Sequence, residues 1–373
     1  MAQSLGIGII GCGNISAAYM RLAPLFKGIE IRACADMNAD AAKARAEEFG
    51  LKAMTVDDLL AADDIDIIVN LTIPAAHFEV SKKVLEAGKH VYSEKPFELS
   101  VAEGQELASI AKAKNLRIGS APDTFMGGAH QLARKLVDSE AVGAITSGTC
   151  FVQSPGMEMW HPNPDFFFQP GGGPILDLGP YYISNLVQLL GPVKRVAAMS
   201  SKGSEERTIT SQPRNGEKIK VETPTTIHAV LQFHSGAQIT YCASWDVWQH
   251  GHSNMELYGR EGTLHVPDPN FFGGEVRMTK QSGFVNIPEK WDHPFSRAND
   301  RTFANYRTAG LADMGVAILE NRPHRCSLEF ALHVVDVMTA ILDSGEKGQF
   351  IEISTTCDRP AALDPEAAKA LLV

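Results

Sequence analysis

Short apolar runs alternate with segments of helical periodicity over the first third of the chain. The apolar runs predict strands over residues 5–10, 30–35, 65–71, 90–93 and 116–120. Between them, apolar positions recur at helical spacing over residues 17–26, 39–49, 56–62, 77–87 and 101–114. Strands that alternate with helices at this spacing indicate a doubly wound parallel sheet. We therefore predict an α/β domain over residues 1–122.

The pattern changes after residue 122, where the predicted strands follow each other closely. They cover residues 145–153, 193–200, 225–234, 237–245, 254–258 and 262–266. The short connections between them favour an open, largely antiparallel sheet. Helical periodicity returns over residues 301–321 and 328–344. We predict an α+β domain over residues 123–373, with an irregular segment at 154–173 and a polar surface excursion at 205–221.

Composition narrows the class of partner. The chain has 373 residues and 44% hydrophobic content, enough for two cores. Its net charge of −10 is spread out without a basic run, which argues against a nucleic-acid partner. Six scattered cysteines lack metal-ligand spacing and fit a reducing compartment. No apolar run is long enough to cross a membrane. We expect a cytoplasmic protein without a metal that acts on a small molecule.

A glycine-rich turn follows the first predicted strand and precedes the first predicted helix. Gly11 and Gly13 allow a tight turn and close approach of the backbone to a pyrophosphate. The following residues, Asn14 and Ile15, lead into the helix, whose free N–H groups and positive dipole end attract that anion. Ser16 stands where glycine or alanine is usual, but it is small enough for the helix to pack on the strand. This context predicts a dinucleotide site.

Asp36 ends the second predicted strand, about 20 residues beyond the glycines. A carboxylate at this point accepts hydrogen bonds from both ribose hydroxyls of the adenosine and repels a 2′-phosphate. No arginine follows directly, so the sequence favours NAD, with NADP the less favoured cofactor. The alternative is that Asp36 only caps the next helix, which starts near Asn38.

Two further strand ends carry candidate cofactor residues. Thr72, Pro74 and His77 lie in the loop after the strand at 65–71, where open parallel sheets bind ligands. Right-handed crossovers would place this loop at the same sheet edge as Gly11 and Asp36.

Glu94-Lys95-Pro96 follows the strand at 90–93 and completes this edge. The proline fixes its own φ and restricts the backbone of Lys95. We assign all three residues to the cofactor site, and Lys95 also to substrate binding and to proton chemistry beside the nicotinamide.

A second chemical segment begins with a glycine run at residues 171–173 and continues with helical residues to about 190. If it is helical, Asp177 and Tyr181 share one face and form a candidate acid/base pair that also contacts substrate. Pro180 would then have to lie within the first turn, where its missing N–H is tolerated. The alternative is a helix cap at Asp177 with core aromatics at Tyr181 and Tyr182.

Together, these motifs resemble the Gfo/Idh/MocA oxidoreductase family from Gly11 to about Pro360. The resemblance implies a Rossmann domain, then a domain on an open sheet whose outer face commonly mediates assembly, so we expect a homodimer or homotetramer. It also implies NAD(P)-dependent oxidation or reduction of a sugar, polyol or inositol-like compound. Lys95 would be the catalytic lysine, Asp177 would orient substrate, and position 181 would hold the acid/base.

Tyr181 departs from the histidine that many family members have at this position. Tyrosine occurs there in the glucose–fructose oxidoreductase and dihydrodiol dehydrogenase branches, so the departure indicates variant chemistry rather than loss of activity.

Three other residues are candidate substrate contacts. Trp160 offers a flat apolar face to a sugar ring, and His161 a hydrogen bond. The alternative is that their segment packs on its own aromatics or on a neighbouring subunit. Asp123 follows the last strand of the first domain. His250 and His252 alternate as on a strand, but two histidines without a third ligand indicate surface or interface residues rather than a metal.

Three classes of function remain open from the sequence. The first is an NAD(P)-dependent dehydrogenase or reductase. The second is a glycoside hydrolase that uses tightly held NAD for transient oxidation. The third is a non-catalytic dinucleotide-binding sensor, which has no need to retain Lys95, Asp177 and Tyr181 together.

Overall fold

A computed structural model describes residues 4–287 and 291–373. The chain forms two compact units. The first contains residues up to 128 together with 292–332 and 360–373. The second contains residues 129–291 and 333–359. No helix within the described ranges is long and apolar enough to span a membrane.

The first unit is built on a six-stranded parallel sheet with the strand order β3-β2-β1-β4-β5-β6, as the alternating pattern predicted. Its strands are β1 Leu5–Ile10, β2 Ile29–Ala35, β3 Lys52–Met54, β4 Ile67–Asn70, β5 His90–Ser93 and β6 Ile118–Ser120. The crossover helices are α1 Asn14–Leu22, α2 Ala39–Phe49, α3 Val56–Ala61, α4 His77–Glu86 and α5 Val101–Lys114. Strand β3 was not predicted because two of its three residues are exposed and no apolar run marks it.

The second unit contains a nine-stranded mixed sheet with the strand order β16-β15-β14-β13-β7-β12-β11-β8-β17. Only the β7–β12 pair is parallel, so the prediction of a largely antiparallel sheet is confirmed. The strands are β7 Ile145–Gln153, β8 Val193–Ser201, β11 Thr226–Phe233, β12 Gln238–Ser244, β13 Met255–Gly259, β14 Gly262–Val266, β15 Arg277–Lys280, β16 Gly283–Val285 and β17 Ile351–Glu352. A separate hairpin joins β9 Glu206–Thr208 to β10 Lys218–Lys220.

The remaining helices are α6 Gly128–Asp138, α7 Pro174–Leu190, α8 Ala309–Leu319, α9 Leu328–Lys347 and α10 Pro365–Ala370. Helix α7 is almost entirely buried and packs on β7, β11 and β12. Residues on β11 alternate between this packed face and the opposite face of the sheet, as expected for a strand with period two.

Two predictions about elements were wrong. The helix predicted at 301–321 begins only at Ala309, because Asn299 and Asn305 exchange hydrogen bonds of 2.7 Å that hold the preceding residues in a loop. The segment 205–221 is not simply a polar excursion, since it forms the β9–β10 hairpin and buries Ile209, Ile219 and Val221. Helices α6 and α10 and strands β15, β16 and β17 were not predicted from the sequence.

Candidate functional site

The strands of the first unit end level with one another. Ile10 pairs with both Ala35 and Asn70, and Asn70 pairs with Ser93. The residues that follow these strand ends therefore emerge at one sheet edge. They are the predicted cofactor residues after β1, β2, β4 and β5: Gly11, Asp36, Thr72 and Lys95. The prediction that these four lie along one edge is confirmed.

The glycine turn at this edge has two glycines with different constraints. Gly11 has φ +103°, its N–H donates to the carbonyl of Ala35 at 2.9 Å, and an added Cβ would lie 2.6 Å from the carbonyl oxygen of Leu71. Gly13 is exposed, and an added Cβ would meet no atom within 4 Å. The turn needs glycine at position 11 for its own geometry, whereas no steric contact among the described residues requires it at position 13.

Helix α1 begins directly after Gly13, so Asn14 and Ile15 belong to its first turn. Gly13 is its N-cap residue and offers no side chain to the first N–H groups. The first N–H groups of α1 have no side-chain cap, and the space beside Gly13 is open. A pyrophosphate bound there would accept hydrogen bonds from these N–H groups. These residues therefore fit a dinucleotide cofactor.

Asp36 is bonded to the glycine turn. Its Oδ2 accepts from the N–H of Cys12 at 2.7 Å, and its Oδ1 accepts from the N–H of Asn38 at 2.8 Å. The cap of α2 is Asn38, whose side chain accepts from Asp40 and Ala41. The alternative that Asp36 only caps this helix is therefore wrong. A surface cavity of about 770 Å³ lies beside Asp36 and is lined by both acidic and basic side chains, including those of Lys43 and Asp58.

Arg45 on α2 was missed by the sequence reasoning. Its guanidinium donates to the carbonyl of Gly13 at 3.2 Å and pairs with Glu48 at 2.6 Å. It thereby places a positive charge at the glycine turn. Helical periodicity marks this residue only as a charged position on a helix that is polar on its outer face, so no sequence signal distinguishes it.

Glu94 does not extend toward solvent from its strand end. Its Oε1 accepts from the hydroxyl of Tyr19 at 3.0 Å, and its Oε2 accepts from the backbone N–H of Lys95 at 2.8 Å. The N–H of Glu94 donates to the carbonyl of Asn70 at 2.9 Å. Both carboxylate oxygens of Glu94 therefore bond to protein groups, and Lys95 follows a residue fixed on both its backbone and its side chain.

His77 is the first residue of α4, and its side chain is buried. Its Nδ1 lies 2.8 Å from the carbonyl oxygen of Pro96, and its Nε2 lies 3.0 Å from that of Thr72. Burial lowers the pKa of the imidazole, while these two carbonyls and the charge of Glu94 act in the opposite direction. The ring joins two strand-end loops, whereas Thr72 and Pro74 remain half-exposed.

Asp123 is also engaged within the protein. Its Oδ2 accepts from the N–H groups of Thr308 at 2.9 Å and Gly310 at 3.0 Å, at the start of α8. Burial raises the pKa of this carboxyl group to about 6. The carboxylate therefore caps a helix, and its contact with substrate stays a prediction.

Helix α7 of the second unit carries Asp177 and Tyr181, four residues apart on one face, in a helix as predicted. The N-cap residue is Gly173, so the alternative that Asp177 caps the helix is wrong. Tyr181 is largely buried. Because the helix begins at Pro174, Pro180 lies in its second turn rather than the first, and the expectation for its place was wrong.

The segment 154–173 forms two short 3₁₀ turns and presents Trp160 with 64% of its surface exposed. His161 Nδ1 accepts from the N–H of Asn163 at 3.1 Å, which leaves the proton on Nε2. The β9–β10 hairpin supports this segment, since Ser211 Oγ donates to the carbonyl of His161 at 2.5 Å. Met157, Phe167 and Phe168 pack against the hairpin, with Leu178 of α7 beside them.

The side chain of Arg207, on strand β9 of the hairpin, is mostly buried beneath the same segment. It donates to the carbonyls of Pro155 and Trp245, each at 2.8 Å, to Glu158 at 2.7 Å, and to Asp246. The segment 154–173 is therefore fixed by both apolar and charged contacts with the hairpin.

His250 and His252 have stacked rings 6.0 Å apart, and His252 stacks on Phe151 at 4.1 Å. Across residues 4–287 and 291–373, no group of three or more His, Cys, Asp and Glu side chains is arranged to hold a metal ion.

Comparison with known proteins gives matches to one family along most of the chain. Residues 5–121 match the oxidoreductase family with an NAD-binding Rossmann fold, and residues 130–265 match the GFO/IDH/MocA C-terminal domain. A dTDP-3,4-didehydro-2,6-dideoxy-alpha-D-glucose 3-reductase from Streptomyces violaceoruber is 28% identical over 70% of this chain and 72% of its own. The levoglucosan dehydrogenase of Pseudarthrobacter phenanthrenivorans is 28% identical over 70% and 73%.

Among solved structures, a levoglucosan dehydrogenase in complex with NADH superposes with a TM-score of 0.81 at 22% identity. The match covers 95% of this chain and 100% of the other. At this identity, the similarity establishes the common fold.

Proposed function

Because the chain belongs to the GFO/IDH/MocA oxidoreductase family, we propose that it transfers a hydride between a nicotinamide cofactor and a hydroxyl-bearing or carbonyl carbon of a sugar, polyol or inositol-like compound. The observation that carries the proposal is the sheet edge at which Lys95 emerges level with the glycine turn and Asp36. Relatives named as sugar dehydrogenase and sugar-nucleotide reductase support the substrate class.

NAD is the cofactor that these residues fit best. Gly11, Gly13 and the start of α1 would hold the pyrophosphate, and Asp36 would accept the adenosine ribose hydroxyls. Lys43 lines the cavity beside Asp36 and would by itself favour a 2′-phosphate. The Asp36 carboxylate is fixed at the glycine turn. It opposes binding of NADP because its negative charge repels the 2′-phosphate. The bound nicotinamide supplies the acceptor or donor of the hydride.

Lys95 and Tyr181 would transfer the proton, and Asp177 would orient the substrate. In the oxidative direction the C–H bond gives up a hydride while the hydroxyl proton passes to Tyr181 or Lys95, and a carbonyl group remains. Asp177 accepts a hydrogen bond from a neighbouring hydroxyl and so orients the substrate. Trp160 covers one face of the ring, and His161 donates through Nε2. Asp123 is the remaining substrate candidate.

We further propose a homodimer or homotetramer that assembles through the outer face of the nine-stranded sheet, and a cytoplasmic location consistent with six buried free thiols. Met199 and Val230 are exposed on adjacent strands of that sheet. Val230→Asp should shift the molar mass measured by light scattering to that of the monomer. An unchanged mass would contradict assembly through this face.

The test of the function is a screen for NAD reduction at 340 nm. Purified protein is given monosaccharides, inositols, polyols and sugar acids, with NADP alongside. Turnover of one compound class that Lys95→Ala loses, while this variant still binds NADH, would support the proposal. Formation of product from glycosides without net reduction of NAD would favour the hydrolase instead. NADH binding without any turnover would favour the sensor.

Cofactor preference is tested in the same assay with Asp36→Asn. Removal of the carboxylate charge should weaken NADH and strengthen NADPH, so that the ratio of their dissociation constants changes by about tenfold, or 1.4 kcal/mol. An unchanged ratio would show that Asp36 does not contact the ribose.

A further inference from the structure

We propose that Tyr19 and His77 are positioning residues, which fix the backbone on either side of Lys95, and that neither contacts the cofactor or substrate through its side chain. The proposal rests on the function proposed above, in which Lys95 takes part in proton transfer. It differs from the sequence-based prediction for His77, which assigned that residue to the cofactor.

The residue before Lys95 is fixed by α1. Tyr19 is 2% exposed, and its hydroxyl donates to Glu94 Oε1 at 3.0 Å. The other carboxylate oxygen of Glu94 accepts from the N–H of Lys95 itself. Because α1 is the helix that starts at the glycine turn, this chain of bonds links the turn to the backbone of Lys95.

The residue after Lys95 is fixed by α4. The imidazole of His77 lies between the carbonyls of Pro96 and Thr72, at 2.8 and 3.0 Å. A carbonyl only accepts hydrogen bonds, so the neutral ring, which carries one N–H, donates to one of these two carbonyls and contacts the other. With 1% of the residue exposed and each ring nitrogen facing a carbonyl, the ring is oriented toward the backbone and not toward a ligand.

Asn70, the last residue of β4, holds this bridge in place. Its side-chain amide donates to the carbonyl of His77 and to Ser81 Oγ, both at 3.0 Å. Its Oδ1 accepts from Thr72 Oγ1 at 2.7 Å and from the N–H of the same residue at 3.2 Å. Asn70 is fully buried. The loop that accepts from His77 and the helix that carries His77 are therefore both tied to one strand end.

The position of the Lys95 backbone matters because the rate of proton transfer depends on where the catalytic group lies. A displacement of roughly 1 Å of a catalytic group costs on the order of 10²-fold in rate. Loss of an anchor should therefore reduce kcat. It should leave the affinity for NADH nearly unchanged, because Gly11, Gly13 and Asp36, which would hold the pyrophosphate and the adenosine ribose, are not bonded to either anchor.

The experiment compares His77→Leu, His77→Gln and Tyr19→Phe with wild type and with Lys95→Ala. His90→Gln is the matched control, since His90 lies at the opposite end of β5 and accepts from the backbone N–H of Arg117 at 2.8 Å. The readouts are NADH affinity by fluorescence titration, thermal unfolding, and kcat and KM on the compound found by the screen.

We expect His77→Leu to lower kcat by about 10- to 100-fold, with the NADH dissociation constant changed by less than about threefold. His77→Gln keeps side-chain N–H donors and should recover part of that loss. Tyr19→Phe keeps its ring and tests the other anchor if the leucine variant fails to fold. His90→Gln should match wild type in kcat.

Two results would overturn this proposal alone. One is wild-type kcat in His77→Leu and Tyr19→Phe while Lys95→Ala is inactive, which would leave the proposed function intact. The other is a loss of NADH affinity as large as the loss of kcat, which would make His77 a cofactor contact. Wild-type turnover by Lys95→Ala would overturn both this proposal and the proposed function.

Discussion

Replacing each of three glycines with alanine should separate the reasons for which the first unit needs glycine. Gly11 combines φ +103° with a backbone carbonyl 2.6 Å from an added Cβ. Gly50, the C-cap of α2, has φ +68° but nothing within 4 Å of its added Cβ. Gly13 has ordinary φ −71° and open space. Gly50→Ala therefore tests conformational strain alone, Gly11→Ala tests strain together with steric conflict, and Gly13→Ala tests the approach of a ligand.

The expected magnitudes follow from these geometries. A residue other than glycine in the left-handed region costs about 1 kcal/mol or slightly more, which is the expected loss of unfolding free energy for Gly50→Ala. Gly11→Ala adds displacement of the Leu71 backbone, so we expect a loss of at least about 2 kcal/mol. Gly13→Ala should lie within about 0.5 kcal/mol of wild type.

Binding should rank the glycine variants differently from stability. Alanine at position 13 places a methyl group where the backbone must approach the pyrophosphate, so the NADH dissociation constant should rise at least about tenfold, or 1.4 kcal/mol. Gly50→Ala should bind NADH as wild type does. Urea denaturation followed by circular dichroism and fluorescence titration with NADH provide the two measurements.

Two results would refute this reasoning. Wild-type stability of Gly11→Ala would show that the turn does not constrain its first glycine. Wild-type NADH affinity of Gly13→Ala would show that the cofactor does not approach the second.

Two further predictions concern groups outside the glycine turn. Burial raises the pKa of Glu98 from 4.5 to about 9, so folding takes up a proton and the free energy of unfolding falls as pH rises between these values. Glu98→Gln should remove this dependence on pH and be more stable than wild type at pH 9. Urea midpoints of the two proteins at pH 5, 7 and 9 test this, and a difference between the midpoints that stays constant with pH would contradict it. Arg207→Met leaves the carboxylate of Glu158, which is 8% exposed, without its ion-pair partner. The free energy of unfolding should fall by about 3–5 kcal/mol. Lys218→Met, on the exposed side of the same hairpin, should change nothing measurable in thermal unfolding. Equal melting temperatures for these two variants would show that Arg207 does not support the segment 154–173.

The sequence predicted most elements of the first unit because its strands are buried on both sides and its helices have regular apolar spacing. It failed for strand β3, which lacks an apolar run, and for the start of α8, where side-chain hydrogen bonds between Asn299 and Asn305 replace helical ones. It also misjudged the β9–β10 hairpin, whose buried isoleucines stand among charged residues. Local composition does not reveal that Ile209 and Ile219 are both buried against Met157, Phe167 and Phe168.

The sequence by itself determined most strands and helices of the first unit, the family and the identity of the candidate chemical residues, because these depend on local spacing and on motifs. Only the tertiary structure decided what the side chains of those motifs contact. His77 and Glu94 belong to the cofactor motifs, yet their polar atoms bond to the protein itself. Residues without a motif, such as Tyr19, Asn70 and Arg45, complete the same edge. The hydrogen bonds of Tyr19 and Arg45 join residues 75 and 32 positions apart in the chain, and spacing along a sequence carries no information about such contacts.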